Sequence, residues 1–228
     1  MNKTLQEILS VREDISDYVF HFTKGVEGLS TLITILKQKK LKDIHGKGFI
    51  CFSEAPITML PPMFTLFKRY PNPMYAPYGI GIHKEVLFKN GGRPVIYGDD
   101  TDLVLLPEEI AWRFVKYEPK TNDFSWLREW RLPQPELELN KDSLIILDRN
   151  ADLDKISSFV FELEDIDIDA EPEDGGCTTF YTGQFSRNYK VVSIEDISEV
   201  NRMTKDQFNE YLASQQELEE IYLGSTHS

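Results

Sequence analysis

A histidine stands in the middle of the aromatic, β-branched run DYVFHFTKG at residues 17–25, and a hydroxyl follows two residues later. Side chains alternate along a strand, so His21 and Thr23 point to the same side of the backbone. The pair could line a binding site together. A lone histidine in such a strand is more often a core residue whose ring makes one hydrogen bond, and both interpretations stay open.

A carboxylate stands in a second unusual run, DFSWLREWRL, at residues 123–132. If the run is a strand, its two faces carry different residues: Leu127, Glu129 and Arg131 on one, and Trp126, Arg128, Trp130 and Leu132 on the other. The tryptophan face is the natural core face. Glu129 and Arg131 then form either an exposed ion pair of little energetic value, or a carboxylate that faces a cleft and is kept ionised by cations.

Other kinds of catalytic site find little support. The four histidines lack metal-ligand spacing, and the acidic run DIDIDAEPED lacks the glycine and glutamate of an EF-hand loop. We therefore expect no metal site, and a metal-dependent nuclease that uses the acidic run ranks last. Nucleophile and phosphate-loop motifs are absent. The two cysteines, Cys51 and Cys177, form no disulfide framework, so the default location is cytoplasmic.

The composition indicates an acidic globular chain. Its 228 residues are 41% hydrophobic and carry a net charge of -13, which disfavours general binding to nucleic acid phosphates. The 25 lysines and arginines still permit a local basic groove. Eight acidic residues fall within 162–174, which is either a solvated strand and loop or a surface for a basic partner. The apolar runs are too short for a membrane span, and the N-terminal sequence predicts no secretory signal.

The pattern of elements predicts an α+β fold in a single domain, 1–228. The core covers about residues 15–163, and an acidic segment with a closing helix occupies 164–228. Predicted helices fall at 3–13, within 26–42 and after 204, and a short one at 63–69 lies inside the proline-rich packed loop 55–77. Predicted strands fall at 18–23, 48–54, 78–83, 93–98, 112–118, 128–132, 143–147 and 157–163. Few helices separate these strands, which disfavours a doubly wound parallel sheet.

Three motifs occur in a particular order along residues 15–150. They are the strand HFT at 21–23 followed by a lysine-ended helix, the strand end FSEAP at 52–56, and REWR at 128–131. This ordered set resembles the ADP-ribosyltransferase-like fold of DarT-type toxins. It is also similar to abortive-infection phage-resistance proteins of the AbiGi type. The resemblance implies split mixed or antiparallel β-sheets with flanking helices that clamp NAD.

The resemblance also implies roles for individual residues. His21 would hydrogen-bond the ribose or position the cofactor, Thr23 would line the nicotinamide end, and Ser53 would support the site. Glu129 would be the catalytic glutamate. It would stabilise the oxocarbenium-like charge that builds on the sugar as the nicotinamide bond breaks, as carboxylates do in glycoside cleavage.

Two further roles have more than one candidate. Tyr97 would stack on nicotinamide, with Tyr78 and Tyr75 as rivals. An arginine would grip the pyrophosphate, because guanidinium pairs bidentately with such oxygens. The three candidates for that role are Arg113, Arg128 and Arg131.

The sequence also departs from the family pattern. No clean Ser-Thr-Ser motif is present, and Leu127 stands where protein-modifying members often carry Glu or Gln. This favours a nucleic-acid-directed or divergent enzyme over an arginine-modifying one, and it permits loss of activity. The leading hypothesis is an NAD-dependent ADP-ribosyltransferase, a bacterial toxin or anti-phage effector that modifies a macromolecule. The alternative is a catalytically silent binding module, a sensor or antitoxin partner that engages a basic protein through residues 162–174.

Overall fold

The computed structural model describes residues 14–165, 183–211 and 213. The helix predicted at 3–13 lies outside these residues. So do Cys177 and the acidic segment at 166–182. The helix predicted after residue 204 is confirmed at 205–211, and its remainder, apart from residue 213, lies outside the described residues.

The strands, in chain order, are β1 (Tyr18–Phe22), β2 (Lys40–Lys42), β3 (Ile50–Ser53), β4 (Gly79–His83), β5 (Arg93–Pro94), β6 (Ile96–Gly98), β7 (Phe114–Lys116), β8 (Glu129–Leu132), β9 (Glu136–Glu138), β10 (Leu144–Leu147), β11 (Phe161–Asp165), β12 (Gly183–Arg187) and β13 (Lys190–Ser193). The α-helices are α1 (Gly28–Gln38), α2 (Leu60–Phe67), α3 (Lys84–Lys89), α4 (Asp100–Leu103), α5 (Glu108–Ala111), α6 (Ser157–Val160) and α7 (Ile194–Val200). Short 3-10 helices occupy Ile57–Met59, Ser125–Leu127 and Asn150–Lys155.

Seven strands form the central sheet in the order β13-β10-β4-β1-β3-β8-β5. β10 and β13 run parallel, and the other neighbours are antiparallel, so the sheet is mixed. The pairs β2–β9, β6–β7 and β11–β12 form separate two-stranded sheets. This architecture confirms the predicted α+β class with a mixed sheet and flanking helices. The finer ADP-ribosyltransferase-like architecture stays a prediction.

Helices cover both faces of the sheet. Leu32 and Leu36 of α1 lie four residues apart on one side of the helix, and both are buried in the larger core cluster with Val19. Phe20 and Phe22, which alternate with Val19 along β1, pack on the other face against α2. A strand covered on both faces explains why the run YVFHF is apolar at nearly every position.

The proline-rich segment packs along the end of β1, as its apolar content predicted. Its backbone bonds to that strand, with the N–H of Ala76 donating to the Thr23 carbonyl at 2.8 Å. Gly28 makes this packing possible, because an added Cβ would lie 2.4 Å from the Ala76 Cβ. The short helix α2 begins at Leu60, earlier than predicted, since prolines are tolerated in a first helical turn whose N–H groups need no partner.

Three segments differ from the predicted strands. The segment predicted as one strand at 93–98 is divided into β5 of the central sheet and β6 of a two-stranded sheet. The chain at 125–127 is a 3-10 turn, and Arg128 has a left-handed backbone with φ of 46°, so β8 begins only at Glu129. The Asp123 carboxylate accepts the Ser125 N–H at 3.0 Å, which starts this turn. Residues 157–160 are helical, and only 161–165 are extended. Within the part of the chain that the structure describes, no helix has the length and apolar character needed to span a membrane.

Candidate functional site

A cavity of about 610 Å³ lies beside the contact between β1 and β3. Its walls come from β1, α1, β2, the loop after β2, β3 and β8. Five of the residues that the sequence singled out line it: His21, Thr23, Ser53, Glu129 and Arg131. The sixth, Tyr97, is not among the lining residues.

β1 and β3 are joined more loosely than the neighbouring strands. They are matched only at Phe20 and Ser53, whereas β1 and β4 are matched along five residues. Paired residues share a face, so Ser53 lies on the face of Phe20, and His21 projects from the opposite face. Ser53 is in turn paired with Glu129. His21 and Glu129 therefore start from opposite faces of the sheet and reach the same cavity.

The His21 ring closes part of the gap between the two strands. Its Nδ1 lies 2.8 Å from the carbonyl oxygen of Cys51, which fixes Nδ1 as the protonated donor and leaves Nε2 as an acceptor in the neutral ring. Burial lowers the pKa of His21, against the opposing effect of the Cys51 carbonyl, and the positive charge of Lys24 lowers it further. His21 thus makes a hydrogen bond within the protein and also lines the cavity.

The Glu129 carboxylate has neighbours on two sides. The Nε of Arg131 donates to its Oε1 at 2.9 Å, and each of the two side chains is only 14% exposed. The Cys51 thiol lies beside the same carboxylate. Burial first, and then the negative charge of Glu129, raise the pKa of Cys51 to about 12. The predicted division of faces holds within β8, since Trp130 and Leu132 are buried in the core.

Arg131 is committed to the protein itself. Its Nη1 donates to the carbonyls of Trp112 and Phe114 at 2.7 and 2.9 Å, and its guanidinium lies 4.2 Å from the centre of the Phe49 ring. Only Nη2 lacks a protein partner among the described residues, which leaves little of the side chain for gripping a pyrophosphate.

The two rival arginines are engaged elsewhere. Arg128 bonds the backbone and carboxylate of Asp14, and Arg113 donates to the Pro94 carbonyl at 2.9 Å. Neither lines the cavity.

The side chains of Thr23 and Ser53 make hydrogen bonds to backbone groups. The Thr23 hydroxyl donates to the Tyr78 carbonyl at 3.0 Å. The Ser53 hydroxyl donates to the Leu127 carbonyl at 2.8 Å and accepts the Ala55 N–H at 3.1 Å. Ser53 therefore ties the end of β3 to the turn that precedes Glu129, and both hydroxyls shape the cavity walls.

Of the three candidate tyrosines, only Tyr75 lines the cavity. Burial first, and then the negative charge of Glu129, raise its pKa to about 12, so its phenol lies in the field of that carboxylate. Tyr97 stands behind the site: its hydroxyl donates to the Phe124 carbonyl at 3.2 Å and accepts the Glu129 N–H at 3.4 Å. The Tyr78 hydroxyl donates to Asp152 at 3.0 Å.

The sequence reading missed two features of the site. The first is Cys51, which alternation along FICFS places on the same face as Ser53. The second is a set of basic side chains that line the cavity: Lys24, Lys40, Lys42, His45 and Lys47. The run KQKKLKDIHGK at residues 37–47 is the signal that could have revealed all of them except Lys24.

Among the described residues, no group of three or more His, Cys, Asp or Glu side chains could hold a metal ion. Comparison with protein-family models, with curated proteins and with solved structures finds no match.

Proposed function

We propose that the cavity binds NAD and that this chain is an NAD-dependent ADP-ribosyltransferase whose catalytic carboxylate is Glu129. One observation carries the proposal: His21 and Glu129, which lie far apart in sequence, line one cavity where β1 and β3 make a single matched pair. A volume of about 610 Å³ is within the usual range for cofactor pockets. The loose contact between the strands supports the split sheet that the resemblance implies.

The residues present fit the chemistry of that cofactor. Bound NAD would supply ADP-ribose as the bond between nicotinamide and ribose breaks, with positive charge developing on the sugar. Glu129 would stabilise this charge, and Arg131 holds its carboxylate in one place. The Nε2 of His21 is suited to accept a hydrogen bond from a ribose hydroxyl. Tyr75, not Tyr97, is the aromatic residue placed to flank the ring.

The proposal is tested by substituting Glu129→Gln and measuring two quantities. NAD should raise the melting temperature of both proteins, since a ligand that binds the native state stabilises it. NAD consumption or transfer of label should fall by roughly 10²–10³-fold in the variant, the usual effect of losing one group that stabilises transition-state charge. Glu85→Gln is the matched control, because that exposed carboxylate lies only near Lys89. Undiminished turnover in Glu129→Gln would refute the assignment.

A second candidate function has a specific observation in its favour. Glu129, Thr23, Ser53 and most of Arg131 already have partners within the protein. A site satisfied in this way would suit a catalytically silent module, a sensor or an antitoxin partner. NAD binding without turnover, together with stoichiometric and salt-sensitive capture of one basic protein, would identify that module.

The proposed biological role is that of a bacterial toxin or anti-phage effector with a macromolecular acceptor. Expression in bacterial cells should slow growth, and Glu129→Gln should relieve the effect. Equal toxicity from the two proteins would show that the effect on growth does not depend on the Glu129 carboxylate.

A further inference from the structure

The mouth of the cavity is basic in an otherwise acidic protein. Lys24, Lys42 and Lys47 line the cavity with exposed side chains, in a chain whose net charge is -13. None of the three makes an ion pair among the described residues. A fourth lining lysine, Lys40, is neutralised by Glu136 at 3.0 Å. The unpaired lysines therefore give the mouth an excess of positive charge.

The loop that carries Lys47 is anchored at both ends, and Lys42 is the last residue of the strand before it. It leaves β2, which pairs with β9, and it enters β3 of the central sheet. Within the loop, the Asp43 carboxylate accepts the backbone N–H groups of His45 at 3.2 Å and Gly48 at 2.7 Å. Against the opposing effect of desolvation, these hydrogen bonds lower the pKa of Asp43, so it stays ionised, and its one negative charge offsets only part of the positive charge of the three lysines.

Helix stabilisation does not account for these three lysines. Lysines near the last turn of a helix interact favourably with its dipole, and Lys37 holds such a place in α1. Lys42 and Lys47 lie beyond the helix, and Lys24 precedes it. Their charges instead reach the cavity: Lys24 helps to lower the pKa of His21, and Lys47 opposes the rise in the pKa of Cys51.

The positive and negative charges of the cavity come from different elements of its lining. Glu129 lies at the wall formed by β3 and β8, where a cationic or electron-poor ring would be favoured. The lysines lie at the solvent side, where an anion would be favoured. Arg131 offers little to an anion, because three of its contacts are to Glu129, Trp112 and Phe114. A ligand that fits has a ring and sugar at one end and phosphate at the other.

We propose that Lys24, Lys42 and Lys47 form the anion subsite of this cavity and hold the diphosphate of a dinucleotide whose ribose lies between His21 and Glu129. The identity of the dinucleotide rests on the proposed function. The anion subsite itself does not, because it follows from the lysines alone.

The test measures binding of ADP, NAD and nicotinamide riboside by calorimetry to the full chain at low and high salt. The double variant Lys42→Gln/Lys47→Gln should weaken binding of ADP and NAD by about tenfold or more, and it should reduce the salt dependence of both. Binding of nicotinamide riboside, which has no phosphate, should change less than twofold. The single variant Lys24→Gln should weaken ADP binding in the same direction.

The matched control is Lys37→Gln/Lys39→Gln, which removes the same charge from exposed positions that do not line the cavity. An equal loss of ADP affinity in this control would show a net-charge effect and overturn the subsite, as would failure of ADP to bind the wild type. Lysine-dependent ADP binding without NAD binding would keep the subsite and reject the proposed function. NAD binding that the lysine substitutions leave unchanged would reject the subsite and keep the proposed function.

Discussion

The indole Nε1 of Trp130 donates to the Glu54 carboxylate at 2.7 Å, and Lys84 lies 2.7 Å from the other oxygen of that carboxylate. This contact joins the end of β3 to the middle of β8 on the face of the sheet opposite Glu129. The motifs FSEAP and REWR are therefore linked by packing that needs no ligand. Their joint occurrence in the sequence has a structural reason, and His21 with Glu129 remains the pairing that bears on chemistry.

Removing the Trp130–Glu54 contact should destabilise the fold without altering the cavity. Trp130→Phe keeps an aromatic ring in the core and removes the indole N–H, so Glu54 loses one donor. We expect the free energy of unfolding to fall by about 1–3 kcal/mol, the usual cost of losing a hydrogen bond to a charged group along with some packing. Urea unfolding followed by circular dichroism measures this change.

The exposed pair Lys89–Glu85, with an N–O distance of 3.9 Å, is the control for that experiment. Glu85→Gln should change the free energy of unfolding by less than about 0.5 kcal/mol, because exposed pairs contribute little. If Trp130→Phe costs no more than Glu85→Gln, the contact does not stabilise the fold.

The sequence predicted the faces of β8 because strand alternation is a local property. Trp130 and Leu132 are buried, and Glu129 and Arg131 face the cavity, as period-two alternation requires. The same rule failed at Arg128, where a side chain–backbone turn at Asp123 and a left-handed residue interrupt the strand. Such turns depend on one or two hydrogen bonds, which the apolar pattern does not report.

Much of the site depended on contacts between distant strands, which no local pattern contains. The sequence favoured Tyr97 and named Tyr75 as a rival, yet only the fold decides which of them lines the cavity. The commitment of Arg131 to Trp112 and Phe114 also arises from long-range packing. Lys42 and Lys47 belong to a charged run in the sequence, but only the fold shows that they line the cavity together with Lys24.

The stability of the protein should depend on His21 at acidic pH. The folded-state pKa of His21 lies below the ordinary value of 6.5, because burial disfavours the imidazolium. As pH falls below about 6.5, the unfolded chain binds a proton at this residue while the folded protein resists it. His21 therefore contributes a loss of stability on acidification, and His21→Asn should lose less free energy of unfolding between pH 7.5 and 5.5 than the wild type.

Comparing the two proteins cancels the carboxylates that they share, so the difference in slope reports on His21. Lys24→Gln provides a graded check, because removing that charge should raise the pKa of His21. The free energy of unfolding of this variant should then fall less steeply on acidification than that of the wild type. Parallel pH profiles for wild type and His21→Asn would show that the ring titrates normally.

Cys51 should be slow to react, and Glu129 should be part of the reason. Its pKa is raised from 9.0 to about 12, so the thiol stays protonated at pH 8 and reacts slowly with iodoacetamide. The sign of the shift also means that this group stabilises the fold below pH 9 and that the contribution is lost as pH rises towards 12.

Glu129→Gln removes a charge that opposes the thiolate and should move the midpoint of the alkylation profile to lower pH. Peptide mass spectrometry separates Cys51 from Cys177. A faster rate at every pH with an unchanged midpoint would indicate greater exposure and would reject the electrostatic link.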